Sequence, residues 1–593
     1  MSAVHTSVPN GTQRRVPIPH AVIVAVGVLL FIPSLWTGFL LDDFYYLGSI
    51  EGRFPGFDTA RTLFSFFVND EEATAAIARD GGYPWWIDEK VRGEHFRPLA
   101  DLLWKTDYSF FGRQAFGYHV HSLLWWAATL LGCGLVFRRS LPGAVGVLAF
   151  LLFVLDEVHV MPVLWVSNRN ALVALAPMLF GLWAWIRWCR DQWRPGLYIA
   201  LVGIGVGMMG SELGLSVLAY FVAFTLLGDP STDIRRRLLR LIPIVGMAAA
   251  YTVVYRILGY GTSGSGIYRH PLEEPWEFLQ AFLTGVPTLL ASGIAGFSAD
   301  FWFAAPALRP TLIAVGCAAT LFLLLALRVR KDERDDAVDN GLRWLVAGSA
   351  LSFLPIAAVF PSDRMLLVPG IGIAAALAVV LLEAYESLRV RRNWLFVATG
   401  GLLALVHLVL APILAVLIQK IVTDSSRRAQ ATASSQVVAD AGSKETILVF
   451  APDHIVSVYL PVIIGYLDGP TPKSWRPLSI APYDHSLKRT ASRTLELEVE
   501  DGGVMLRSIF EELYRDPENR LEPGDVIDRG LLRAEILAAN DRGPTRIAFH
   551  FDRDLSDPSL YFLVLDSGEL RPAVLPDIGQ EILLERSVGP GGF

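Results

Sequence analysis

Cysteine is almost missing from this chain: three residues among 593, Cys133, Cys189 and Cys317, each in or beside an apolar run. That supply excludes a disulfide framework. Charge is scarce as well, with Asp, Glu, Lys and Arg making up 18% of the residues. A soluble protein of this length carries more. There is no P-loop, no GxGxxG after a strand, no CxxC pair and no HExxH, so nucleotide-driven and zinc-protease chemistry have no motif to rest on. Tandem repeats of 20 to 50 residues are absent too.

What the chain has in their place is apolar sequence: 53% hydrophobic residues and a mean hydropathy of +0.42. A helical crossing of the hydrocarbon core needs about 20 apolar residues. Runs at 18–41, 120–137, 144–155, 164–188, 197–209 and 213–227 qualify, as do 239–258, 311–327, 342–360, 365–382 and 394–418. The first lacks an A-x-A cleavage pattern and opens a multi-span chain, so it reads as a retained helix rather than a signal peptide.

Basic residues stay on the cytoplasmic side of short loops. With "TQRR" inside, alternation puts "FRRS", "IRWCRDQWR", "DIRRRLLR", "LRVRKDERDD" and "LRVRR" inside as well. The apolar stretch 276–297 would reverse that pattern if it crossed, and is therefore expected to be an external interfacial or re-entrant helix.

The expected fold class is an α-helical polytopic membrane protein of about eleven transmembrane helices with a C-terminal extracytoplasmic β-rich domain. Residues 1–422 form the membrane domain, with a large first external loop at 42–118, and 423–593 the soluble one. The latter holds 27 acidic against 18 basic residues. It opens on a polar linker, "TDSSRRAQATASSQ". Short β-like runs follow, "ETILVFA", "TLELEVE", "TRIAFHF" and "LYFLVL", with one amphipathic helix, "LRSIFEELYR". Asp552, Asp554 and Asp557 read as an acidic turn, because the rest of a calcium loop is missing. The first external loop contains two helix-like pieces, "TARTLFSFFV" and "RPLADLLWKTDYSFFG". Loops of that length in compact proteins are usually functional.

Polar chemistry collects on the external face. Asp42 and Asp43 follow the first apolar run, where a helix C-terminus would repel them. A carboxylate there could take a proton from an acceptor hydroxyl, or the pair could hold a divalent metal, magnesium or manganese. Glu94, His95 and Arg97 precede a helix opening at Pro98, and an arginine in that place could grip a phosphate. His119 and His121, two apart, lack the spacing of a helical metal pair. Asp156, Glu157 and His159 cap the third helix. The fourth buries Arg169 about two turns deep, either bridged to Asp156 or Glu157 or binding phosphate. Ser211 and Glu212 occupy one outer turn, Asp363 and Arg364 another, and Tyr268, Arg269 and His270 add to that face.

The order of these motifs, with "RPLADLLW", "FGYHVHSLLW", "LDEVHVMPVLWVSNRNALVAL", "GSELGLSVL" and "PSDRMLLVPG" following the acidic pair, resembles the GT-C membrane glycosyltransferases. It is similar above all to the protein O-mannosyltransferase and aminoarabinose transferase superfamily, in particular the transmembrane and tetratricopeptide-repeat O-mannosyltransferase branch. The likeness covers about 17–418. It departs from that branch in "GSELGL", which has no lysine, and in having an acidic β-like domain where the repeats would be. The resemblance implies a polyprenyl-phosphate-linked sugar donor, an extracytoplasmic acceptor and Asp42 or Asp43 as base. It makes Arg97, Arg169 and Arg364 candidates for the donor phosphate. Membrane lipid is an expected partner, nucleic acid is not, and the expected location is a bacterial inner or plasma membrane. Rival readings are a non-catalytic GT-C-like scaffold and a transporter of a lipid-linked substrate, the latter disfavoured because charges gather at one face and not at the midplane.

Overall fold

The computed structural model describes residues 20–54, 62–229, 232–389 and 393–591. The basic "TQRR" cluster and the end of "LRVRR" lie outside them. Among the described residues seven helices are long and apolar enough to cross a membrane, or eight if the pair Gly143–Leu155 and Glu157–Leu164, bent by 51°, counts as one. Shorter apolar helices cover His20–Trp36, Pro195–Met208 and Gly214–Gly228. Leucine, isoleucine and valine stand exposed along Ile234–Ile257, Arg309–Val329 and Trp394–Leu405. So much continuous apolar surface requires lipid around it, and the chain is an integral membrane protein.

Lipid gives helices no hydrophobic reason to associate, so close approach does the work. Helix Pro195–Met208 lies against Asn170–Asp191, and a side chain on Gly203 or Gly207 would strike the backbone at Pro177 or Ala174. At one end of the bundle, Arg139 pairs with Asp191, while Arg190 and Asn340 both donate to the carbonyl of Gly228. The loops carrying the interhelical basic clusters therefore meet there. Acidic and aromatic loops meet at the other end.

Helix Pro275–Ala295 has the length of a span, yet both its flanks tie to that second end. Arg269, before it, bonds Asp516 of the C-terminal region at 3.0 Å. Ser292 and Ala299, at and beyond its far end, donate to Asp363, each at 2.7 Å.

Three expectations need correcting. The "TDSSRRAQATASSQ" stretch is no linker: Ala411–Ala433 is continuous helix, so the 422/423 boundary falls within it. Alanine-rich sequence favours helix, and Ser426, Ala429 and Ala433 bury one face of it. In the first loop, the described part of "TARTLFSFFV" is not helical. The "LRSIFEELYR" helix shrinks to Ile509–Glu512.

The C-terminal region is β-rich. Six strands form an antiparallel sheet, in the order Glu581–Leu584, His485–Ala491, Thr494–Val499, Pro544–Phe551, Leu532–Ala539 and Val526–Asp528. Four form a mixed sheet, in which Glu445–Phe450 runs parallel to both Ser474–Ser479 and Leu560–Asp566. Parallel neighbours need a crossover, supplied here by Ile455–Tyr459 and helix Leu460–Tyr466. The first external loop completes this region's core. Trp85, Trp86 and Ile87 are buried against it, and Trp85 Nε1 donates to the carbonyl of Leu478 at 3.0 Å.

Candidate active site

Asp42 and Asp43 lie in the first turn of helix Asp42–Ile50, not at a helix C-terminus. This corrects the dipole argument: at an N-terminus two carboxylates are favoured. The chain reverses direction at Leu41, whose φ is 40°, and so starts a new helix where the first was expected to end.

Successive helical residues point about 100° apart, and the two aspartates part company accordingly. Asp43 is fully buried; its Oδ2 accepts from the amide of Leu40 at 2.9 Å, and its Oδ1 from the amide of Ser167 at 2.7 Å and from the Ser167 hydroxyl. Burial pushes this carboxyl up to about 7, against those hydrogen bonds. It fastens the new helix to the turn 166–169.

Asp42, one helical step round, is half-buried. Its Oδ1 accepts from the Tyr459 hydroxyl at 2.7 Å, and its Oδ2 receives no hydrogen bond among the described residues. Burial raises this carboxyl too, opposed by the Tyr459 bond and by the charges of Arg364 and Arg97.

Those two arginines are held differently. Arg97 donates from Nε to Glu212 at 2.7 Å and lies over the Phe64 ring, and its terminal nitrogens make no hydrogen bond among the described residues. His95 completes this group with Nδ1 3.4 Å from Glu212. Burial alone would push the Glu212 carboxyl up, but Arg97 and His95 outweigh it and hold it well below the usual range. Burial and the neighbouring Arg97 charge lower His95 in turn, keeping it neutral at pH 7. Arg364 sits over the rings of Trp165 and Phe360 and makes no hydrogen bond or ion pair among the described residues. Its guanidinium is half-buried and feels the charges of Asp300 and Asp42 without an ion pair among the described residues; such a group can take an anion from outside the chain. The Tyr268 hydroxyl lies within electrostatic reach of Asp42, Arg97 and Arg364.

The remaining candidates stand apart from this group. Arg169 is not two turns inside a helix, nor bridged to Asp156 or Glu157. It ends the short turn Val166–Arg169 and pairs with Asp107 of helix Pro98–Phe111, Nη2 to Oδ2 at 2.6 Å, both side chains buried. That pairing engages its guanidinium inside the protein. Asp107 also holds His121 Nδ1 at 2.7 Å. His159 does not face outward but is buried, stacked near Phe153 and Trp126 and bonded to the carbonyl of Phe153. Asp156 caps the amide of Val158, and Glu157 follows it beside the 363–367 turn. Asp363 is taken up by Ser292, Ser298 and Ala299. Glu94 is on the strand Arg92–Glu94, which pairs with Gly261–Ser263, and it accepts from Asn69.

For a metal on the expected Asp42 and Asp43 pair the donor set is thin: Asp43 spends both oxygens on three donors, which leaves the Oδ2 of Asp42. Among the described residues no group of three or more His, Cys, Asp or Glu side chains gathers to hold an ion. Sequence reasoning missed Tyr459 altogether, since nothing near it in the chain marks it, and it overlooked Asp107 as the partner of Arg169.

No protein-family model matches this chain, and neither does any curated protein. Among solved structures it is similar to the oligosaccharyltransferase AglB of Archaeoglobus fulgidus in complex with an inhibitory peptide and a dolichol-phosphate, at 13% identity and a TM-score of 0.40, over 77% of this chain and 64% of that one. The same archaeal enzyme tethered to an acceptor peptide gives 11% identity and a TM-score of 0.39, over 77% and 63%. ArnT from Cupriavidus metallidurans bound to undecaprenyl phosphate gives 15% and 0.37, over 76% of this chain and 85% of that one. The chain thus spans less than two-thirds of the archaeal enzyme's length.

Proposed function

We propose that this protein is a membrane glycosyltransferase that moves a sugar from a polyprenyl-phosphate donor to an extracytoplasmic acceptor by direct displacement. The observation that carries the reading is the meeting of one carboxylate with a free oxygen, Asp42, and two guanidinium groups with free donors, Arg97 and Arg364, at the end of the bundle opposite the basic loops. The motif order that resembles GT-C enzymes supports the same conclusion.

In the proposed reaction the acceptor hydroxyl gives its proton to Asp42 Oδ2 as its oxygen bonds the anomeric carbon. The bond from that carbon to the phosphate oxygen breaks, and the lipid phosphate leaves with the electron pair. Arg97 and Arg364 stabilise the charge that develops there. Glu212 keeps Arg97 charged and aimed. The reading takes about eleven crossings, the six span-length helices other than Pro275–Ala295, the bent pair, the three shorter apolar helices and Asp336–Ile356, and has this site and the β-rich region outside the cytoplasm of a bacterial inner or plasma membrane.

The arginine assignment is tested by binding of polyprenyl phosphate to the purified protein. Arg364→Ala and Arg97→Ala should each weaken it by roughly tenfold or more, the worth of a charge-assisted contact. Arg169→Met, if it folds, should bind as wild type. Undiminished binding in both alanine variants would remove the phosphate site.

A further inference from the structure

Asp42 and Tyr459 lie 417 positions apart, yet one 2.7 Å hydrogen bond joins them. The bond comes from the C-terminal region. Tyr459 ends the π-helical turn Ile455–Tyr459, and the helix that follows, Leu460–Tyr466, packs on Asp42–Ile50. The packing is dense: Phe44, Leu47, Leu460, Ile463 and Ile464 are all buried in one apolar cluster, and the Phe44 and Tyr466 rings meet edge-on at 5.0 Å. Tyr459 is steadied on its other side by Phe510, 6.5 Å away and nearly perpendicular. The hydroxyl therefore reaches Asp42 from a scaffold fixed to Asp42's own helix.

From this we infer that Tyr459 is a positioning residue: the C-terminal region uses its hydroxyl to hold Asp42 Oδ1, so that Oδ2 alone is presented to the acceptor. A carboxylate on a free rotor would offer either oxygen in many directions, and misplacement by an ångström costs orders of magnitude in rate. The inference rests on the reading of Asp42 as the base. It gives the β-rich region a part in the reaction.

The same bond favours the ionised carboxylate, acting with Arg97 and Arg364 against burial. Tyr45, Tyr46, Tyr268, Tyr514, Asp43 and His454 are the other titratable groups near this carboxyl or its tyrosine partner. With those left unchanged, removing the hydroxyl should raise the pH at which Asp42 loses its proton.

The experiment compares full-length wild type, Tyr459→Phe, Tyr466→Phe and Asp42→Asn in transfer from a polyprenyl-phosphate sugar, each across pH and each checked for polyprenyl-phosphate binding and thermal melting. Tyr466 ends the helix that follows Tyr459 but donates to the carbonyl of Arg113, so its variant controls for packing. Tyr459→Phe should lower kcat roughly tenfold, the scale of one hydrogen bond to a charged group. Donor KM should stay unchanged, and the acidic limb of the profile should move to higher pH. Tyr466→Phe should match wild type. If Asp42→Asn is inactive while Tyr459→Phe keeps wild-type kcat and limb, the positioning role is overturned and the base assignment stands. If Asp42→Asn is fully active, the base assignment itself is lost.

Discussion

At the residue scale, the main result is that two adjacent aspartates have unlike duties. Asp43 ties three donors together inside the protein, and Asp42 has one oxygen that accepts no hydrogen bond among the described residues. Substitution separates them. Asp43→Ala strands the amides of Leu40 and Ser167 together with a hydroxyl, each costing about 1–3 kcal/mol when buried. Its expected signature is a lower melting temperature in detergent, with activity lost in proportion to folded protein. Wild-type melting in Asp43→Ala would contradict the tether. From sequence the pair was legible as unusual, but which member faced outward was not. That depends on where a helix begins, and Leu41 begins it by adopting a positive φ, which local propensity disfavours for leucine.

At the scale of elements, the first external loop and the bundle are held by a buried ion pair. Arg169, from the turn before helix Asn170–Asp191, meets Asp107, from helix Pro98–Phe111. Breaking such a pair leaves one charge uncompensated, at a cost of about 3–5 kcal/mol. Arg169→Met should therefore melt well below wild type, and the double variant Arg169→Met with Asp107→Leu should recover much of that loss. A phosphate ligand would behave otherwise, with stable protein and impaired donor binding. The charge inside an apolar run was legible in sequence. Its partner was not, because residues 62 apart on different helices share no pattern. Apolar helices were read well, since lipid demands continuous hydrophobic length. The 423–433 stretch was misread as linker because its polarity is that of a surface, and a helix leaving the membrane has the same polarity.

On the scale of the whole molecule, the site exists only where three parts of the chain converge: the start of the first external loop, the turns between helices, and one tyrosine from the C-terminal region. The sidedness of the first two could be read from the distribution of charge. Convergence with the third could not, since a parallel crossover brings Tyr459 to Asp42 and its sequence is ordinary β–α–β. Asp42 as the proton acceptor is the central claim, and the pH dependence of transfer from a polyprenyl-phosphate sugar tests it most directly. Because burial raises the Asp42 carboxyl, and only its ionised form accepts a proton, the wild-type rate should fall as pH drops, at a pH above that of an ordinary aspartate. In Asp42→Asn the rate should fall by about 100-fold or more, and the acidic limb should vanish. A variant that keeps its rate, or one that is slow but retains the same limb, would contradict the account.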